Sequence, residues 1–293
     1  MRILHLDSGR EMRGGQWQVL RLHQGLIDAG HESLLLAREE SPLLRTARER
    51  GLPSDVLRPL RLALQSRPFD IVHAHDARSH AFGALFSRVP LVVSRRVAFP
   101  VRDAAVSRWK YRRPELFIAV SRFVARELRR GGVEERRIVV IGDGVPLPAV
   151  PASGDAILVP YTLDPAKGLA LAEEAGALAG VRLQRSTDLE ADLPGARALV
   201  YISHSEGLGS GILLGMAHGV TVIASETGGT PELIEDGVNG ILTTNNAEAI
   251  AGAFRRINRR LGEAARRTVI DRFTVEKMVQ STLAAYDRVF ADA

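Results

Sequence analysis

The chain has 293 residues, 45% hydrophobic and 25% charged, which allows two compact domains of ordinary globular composition. No apolar run approaches the ~20 residues of a membrane-spanning helix, and the absence of cysteine excludes a disulfide framework and thiolate metal sites. The net charge of +5 is uneven: Arg95 to Arg137 holds 13 Lys or Arg against 5 Asp or Glu.

Along the chain, strands alternate with helices. Arg2 to Asp7 reads as a short apolar strand, and an amphipathic helix from about Gln16 to Ala29 follows, stopped by Gly30. His31 to Ala37 is a second strand and Pro42 to Arg50 a second helix, with a further short strand at Val56-Leu57. Strands at Phe69–His73, Leu91–Val93, Leu116–Val120 and Ile138–Ile141 come next, with helices in the intervals. This alternation implies a parallel sheet covered on both faces.

Three prolines and two glycines between Ile141 and Pro151 read as a linker, and the alternation restarts at Ile157–Val159. The expected division is therefore 1–145, a linker over 146–154, and a second α/β domain over 155–274. Within the latter, only a helix at Leu169–Ala179 and a strand at Val181–Gln184 fit before Leu189 to Arg197. Ala198 to Ile202 and Val220 to Ala224 are strands, Ile212 to Ala217 is a short helix, and the chain ends in helices at Ala247–Ile257, Gly262–Arg272 and Val275–Phe290.

Chemistry-bearing residues collect at strand ends. Glu206-Gly207-Leu208-Gly209-Ser210 links a strand to a helix start, where free N–H groups and the helix dipole suit a phosphate. Gly228-Gly229-Thr230-Pro231 forms a second glycine turn on the same edge, where open α/β sheets bind ligands. Gly14-Gly15 is either a plain loop or a place where backbone approaches a phosphate or sugar; it lacks the G-x-G-x-x-G of dinucleotide enzymes. His73 and His75 point the same way from one strand and would begin a metal site only with further ligands, His80 being the nearby extra. Arg96 at the end of Ser94-Arg95-Arg96 either clamps a phosphate bidentately or is surface charge. Lys167, in Asp164-Pro165-Ala166-Lys167-Gly168, stands at a helix start. The basic window around Trp109-Lys110-Tyr111-Arg112-Arg113 is either a set of solvated faces or a surface for anionic lipid or a phosphorylated acceptor; no base-reading motif accompanies it, so nucleic acid is disfavoured.

Together these motifs resemble the retaining glycosyltransferases of family 4, which have the GT-B fold. Glu206, Met216-Ala217-His218-Gly219 and Gly228-Gly229-Thr230-Pro231-Glu232 match that family's donor-site signature, and Arg13-Gly14-Gly15-Gln16, the Val72-His73-Ala74-His75 piece and Ala119–Val124 match its first domain. The resemblance implies two Rossmann-like domains facing across a cleft, with the last helix, 275–293, returning to the first domain. It implies transfer of a sugar, with retention, from a UDP- or GDP-linked donor to a sugar, lipid-linked or phosphorylated acceptor, as in the building of a cell-envelope polysaccharide. Glu206, Lys167 and Arg96 would be the catalytic residues. Gly14, Gly15, Gly207, Leu208, Gly209, Ser210 and Gly229 would hold the donor, with no metal and no other cofactor. The expected location is cytoplasmic, with the basic segment Arg95–Arg137 touching the cytoplasmic face of an anionic membrane.

Three departures bear on this reading. Leu214 stands where the family has a second acidic residue for the ribose hydroxyls, Thr162 stands where it has an arginine, and the region from Gly168 to Leu199 is short. Arg96 or Arg185 would have to replace the missing cation. The alternatives are a degenerate GT-B protein serving as a binding or partner subunit, and a nucleotide-sugar epimerase, for which no clear acid–base set is seen.

Overall fold

The computed structural model describes residues 1–101 and 104–291. The chain divides into two compact units, one formed by Met1–Gly144 with the segment from Val275 onward, the other by Val145–Thr274.

The first unit is built on seven strands: β1 (Arg2–Asp7), β2 (Glu32–Ala37), β3 (Ser54–Val56), β4 (Ile71–Ala74), β5 (Leu91–Arg95), β6 (Leu116–Ala119) and β7 (Ile138–Val140). They are parallel throughout, in the order β3-β2-β1-β4-β5-β6-β7. The chain starts in the middle of the sheet, runs to one edge and returns through β4 to build the other half. The reversal between β1 and β4 sends the loops after these two strands apart, and such a switch point is where open α/β sheets bind ligands. Both faces are covered, so the strands are apolar almost throughout: Ile3, Leu4, Leu35, Leu36, Val72 and Phe117 are fully buried.

Side-chain caps start several helices. Ser41 Oγ accepts from Leu44 N at 3.2 Å and Ser121 Oγ from Val124 N at 3.1 Å, while Asp76 accepts from Arg78 N and Ser79 N. Each such cap is worth about 1 kcal/mol. The C-terminal helix Val275–Ala291 packs on the first helix, Gly14–Asp28, where Met278, Val279, Ala285 and Tyr286 join Ile3, Leu22 and Leu26 in one apolar cluster. A Cβ at Gly25 would stand 2.5 Å from Val279 Cγ2, so glycine is what lets the two helices approach.

The second unit has five parallel strands: β8 (Ala156–Pro160), β9 (Gln184–Ser186), β10 (Ala196–Tyr201), β11 (Thr221–Ser225) and β12 (Ile241–Thr243). Their order is β12-β11-β10-β8-β9, so the reversal falls between β8 and β10. The proline-rich stretch before β8 is tied to this unit: Ala152 N donates to His218 O at 2.8 Å, Ser153 N to Pro194 O at 3.2 Å, and Arg266 Nη2 to Pro148 O at 2.5 Å.

The structure differs from the sequence expectation most clearly around β9. Val181 to Gln184 was expected as the strand, but it forms only at Gln184–Ser186. The preceding helix, Leu169–Ala179, ends in a left-handed Gly180, with Gly180 N bonded to Ala177 O and Val181 N to Gly176 O. This Schellman closure uses Val181 and Leu183 to cover the helix end. Strand β12 was not foreseen; its three residues are too short for a periodic signal.

Candidate functional site

The C-terminal edge of the second sheet gathers three loops. The loop after β8 ends in a 3-10 turn, Pro165–Lys167, capped by Asp164 Oδ1 accepting from Ala166 N at 3.0 Å. The loop after β10, residues 202–209, is anchored to it: His204 N donates to Ala166 O at 2.9 Å. The loop after β11 closes against the same segment, Gly229 N donating to Glu206 O at 3.1 Å. At Gly228, φ is +56° and a Cβ would sit 1.9 Å from Glu206 O. Only glycine fits there, because the position is left-handed and the neighbouring backbone leaves no room.

At the β8/β10 reversal these loops bring two charges together. Lys167 Nζ donates to Glu206 Oε1 at 2.6 Å, and Tyr201 OH donates to the same oxygen at 3.0 Å. Glu206 is mostly sheltered and Lys167 about one third exposed, with side-chain exposures of 12% and 36%. Both bonds fall on Oε1, which leaves Oε2 as the acceptor for a further group. Burial first, and the Glu206 charge second, hold the Tyr201 hydroxyl well above the usual tyrosine range, so it stays a proton donor. The helix Ser210–His218 starts beside this group from Gly209 (φ +112°), and no side chain caps its first turn. Its free N–H groups and positive dipole end make a place for an anion.

Of the sequence-derived residues, Lys167, Glu206, Gly207, Gly209, Ser210 and Gly229 lie on this one edge. Leu208 lies there too, but its side chain is 3% exposed and packs inward, so it offers backbone alone. Thr162 Oγ1 accepts from Asp164 N at 3.1 Å and is used within its own turn. Leu214 lies partly exposed on the helix that starts at Ser210. Arg185 is engaged by Glu173 at 2.5 Å and is not free to replace the missing cation. Tyr201 was missed by the sequence reading; its place as the last residue of a buried strand, five before Glu206, was the available signal.

Gly14, Gly15 and Arg96 lie in the first unit, at the C-terminal edge of its sheet. Gly14 begins the first helix, and a Cβ on Gly15 would come within 4.0 Å of Arg96 Cδ. Arg96 is no loose surface charge. Its Nε donates to Asp143 Oδ1 at 3.1 Å, its Nη1 lies 3.4 Å from His75 Nδ1, and its side chain is 14% exposed.

Behind it lies a histidine core. His5 on β1 and His73 on β4 are register partners, and His75 follows two residues on. One ring nitrogen of each lies within 4.8 Å of one from each of the other two. They are, however, taken by hydrogen bonds: His5 Nδ1 to His75 Nε2 at 2.8 Å, and His73 to Tyr286 OH at 2.7 Å and Ser94 Oγ at 2.8 Å. Only His5 Nε2 lacks a partner among the described residues. The third histidine is thus His5, not His80, which bonds Lys110 O instead. Burial holds all three well below the usual histidine range, so they are neutral. Beside them Asp7 is pushed up to about 6, by burial and then by Asp76.

Two family models match the chain: Glycosyltransferase Family 4 over residues 12–147 and Glycosyl transferases group 1 over residues 124–259. The chain is similar to N-acetyl-alpha-D-glucosaminyl L-malate synthase of Bacillus anthracis, 33% identical over 101 residues, a stretch covering 32% of this chain and 26% of that protein. About a quarter of that relative's length is therefore spanned. Among solved structures it is similar to Anabaena HepE in complex with UDP, with a TM-score of 0.85 and 18% identity over 98% of this chain and 100% of that one. It is also similar to the sucrose-phosphate synthase of Thermosynechococcus elongatus, with a TM-score of 0.79 and 16% identity over all of both chains. At these identities the likeness is one of fold. The motifs, the two family matches, which between them run over residues 12–259, and the two doubly wound sheets agree: this chain has the GT-B fold and matches glycosyltransferase family models in both of its units.

Proposed function

We propose that the protein transfers a sugar, a hexosyl group, from a UDP- or GDP-linked donor to an acceptor hydroxyl with retention of configuration. The observation that carries this reading is the convergence, at the β8/β10 reversal, of Lys167, Glu206 and the uncapped start of helix Ser210–His218. A diphosphate placed there meets a cation and a row of backbone donors, and a sugar beyond it meets Glu206 Oε2. Solved structures of the similar Anabaena HepE include complexes with UDP and with UDP-glucose, which fits a nucleotide-sugar donor.

In the proposed reaction the bond between the anomeric carbon and the diphosphate oxygen breaks, and its electron pair leaves with the diphosphate. The acceptor oxygen bonds to the anomeric carbon on the same face, and its proton passes to the departing diphosphate. Preorganised charge at the departing oxygen lowers the barrier most. Lys167 and the helix start supply that charge, so the scheme uses no metal or other cofactor. The first unit would take the acceptor, a lipid-linked or polysaccharide precursor or another phosphorylated group, at the cytoplasmic face of a membrane reached through the basic segment 95–137. The partner-subunit reading draws on Thr162, Leu214 and the short region from Gly168 to Leu199, while the Lys167–Glu206 pair and the bare helix start favour transfer.

The test is a thermal-shift panel of UDP, GDP, ADP, CMP and their sugars on the wild type and Lys167→Ala. A ligand at about 100 times its Kd stabilises by ~2.7 kcal/mol. A shift with one nucleotide that disappears in Lys167→Ala is expected; no shift with any of them sinks the reading.

A further inference from the structure

The basic window from Arg95 to Arg137 does not act as one surface. Half of the six arginines in its second part, Arg122 to Arg137, are paired with carboxylates: Arg129 with Glu135 at 2.9 Å, Arg130 with Glu127 at 2.7 Å and Arg136 with Glu134 at 2.7 Å. The first half is different, and the fold joins it to segments that are distant in sequence. Helix Ala105–Arg112 packs along helix Ala77–Phe86, with His80 Nε2 bonded to Lys110 O and Arg113 Nε donating to Ala84 O. Helix Leu62–Gln65, with the 3-10 turn Pro59–Arg61 before it, also lies against Ala77–Phe86. Residues 57–68, 77–90 and 104–114, which make up these three helices, hold nine Lys or Arg; the acids Asp55, Asp70, Asp76, Asp103 and Glu115 stand within two residues of their ends, and Asp76, which caps Ala77–Phe86, acts on Lys110.

The same face exposes large apolar side chains. Leu60 is 86% exposed, Leu64 65%, Leu85 57%, Val106 76% and Trp109 43%. Leu60 and Leu64, and Val106 and Trp109, are spaced one helical turn apart, so each pair projects to one side. Apolar side chains and an aromatic ring set among an excess of cations match a layer that is negative at its surface and oily beneath. No described helix is long and apolar enough to cross a membrane, so the contact would be made from the surface.

We propose that this three-helix face, and not the stretch from Arg122 to Arg137, is the surface through which the first unit docks on an anionic lipid bilayer. Leu60, Leu64, Val106 and Trp109 would enter the headgroup layer, with the surrounding arginines on the lipid phosphates. The proposal rests on the reading of a membrane-borne acceptor, but lipid binding is measured without any sugar nucleotide, so either can fail alone.

The experiment is flotation of the full chain with phosphatidylcholine vesicles with and without phosphatidylglycerol, at low and high salt, together with the Trp109 fluorescence maximum in a Trp17→Phe background. Binding to the anionic vesicles, a blue shift of Trp109, and loss at high salt are expected. Leu60→Ser with Leu64→Ser, and Val106→Ser with Trp109→Ser, should each weaken binding about tenfold or more, since each removes two buried anchors. Arg126→Ala with Arg129→Ala should bind like the wild type. Three results overturn the proposal: no binding to anionic vesicles at low salt, an unshifted Trp109 spectrum in bound protein, or loss of binding in the Arg126/Arg129 variant alone. So does a dimer in light scattering that Leu60→Ser with Leu64→Ser disperses, because a second copy would then be the occupant.

Discussion

In both units the strand order reverses beside the first strand, between β1 and β4 in one and between β8 and β10 in the other. The second unit places a partly exposed ion pair, two glycine-rich turns and a bare helix start at that edge. The first unit places neutral histidines there, buried behind an Arg96–Asp143 pair that is itself mostly sheltered. Winding therefore sets where a site can lie. What it can do there depends on whether the polar groups face outward with bonding capacity left over, as Glu206 Oε2 does, or inward with nearly every nitrogen used.

The comparison is broken most sharply by acid. His5, His73 and His75 are held well below the usual histidine range by burial, His23 is lowered to about 4 and His80 to about 3, and all five are in the first unit. A histidine whose folded-state pKa is depressed gives stability that is present above its unfolded value of 6.5 and is lost as pH falls below it. Each contributes a slope of up to about 1.4 kcal/mol per pH unit in that range. Asp7, raised to about 6, works in the opposite sense between about 6 and its ordinary value of 3.8 and offsets one histidine. In the second unit only His218 is lowered, again by burial. Hydrogen exchange at pH 7 and pH 5 should therefore show the first unit losing several kcal/mol of protection while the second keeps most of its own. Equal loss in both would erase the distinction.

The next largest effect belongs to the second unit. Gly228→Ala forces a side chain into left-handed backbone against Glu206 O, and should destabilise by roughly 2–4 kcal/mol. Urea unfolding followed for this unit should show it, and nucleotide binding should fall with it. A variant as stable as the wild type would mean that the loop after β11 is not held to Glu206.

The smallest change is the sharpest probe. Tyr201→Phe keeps the ring beneath Gly211 and removes only the hydroxyl on Glu206 Oε1. Stability should change by less than about 1 kcal/mol, nucleoside diphosphate binding should hold, and kcat/KM for the nucleotide-sugar should fall about 3- to 10-fold, the net worth of one ordinary hydrogen bond. A parallel drop in stability and in both affinities would make Tyr201 a packing residue and nothing more.

The alternation of strands and helices, the restart of the pattern near Ile157 and the glycine-rich turns around Glu206 were legible because they depend on local rules: apolar periodicity, caps and the few residues that tolerate tight turns. Lys167 and Glu206 could be singled out for the same reason, since each lies at a strand-to-helix junction. The pairing of Arg96 with Asp143, 47 residues away, could not be read, nor could the meeting of His5 with His75 across 70 residues. The register of a parallel sheet sets such contacts, and side-chain patterns do not encode which strands become neighbours. Schellman closure likewise took Val181 and Leu183 from a strand that their apolar character had promised.

The sequence by itself determined the class of fold and the glycine-rich turn that carries Glu206, because these rest on residue type and near-neighbour spacing. Only the tertiary structure decided that Arg96 is a sheltered, paired cation, that Tyr201 and Lys167 share one oxygen of Glu206, and that helices Leu62–Gln65 and Ala105–Arg112 both pack on Ala77–Phe86. Each of these depends on distance across the fold, where Coulomb attraction, desolvation and burial act on neighbours in space and not in sequence.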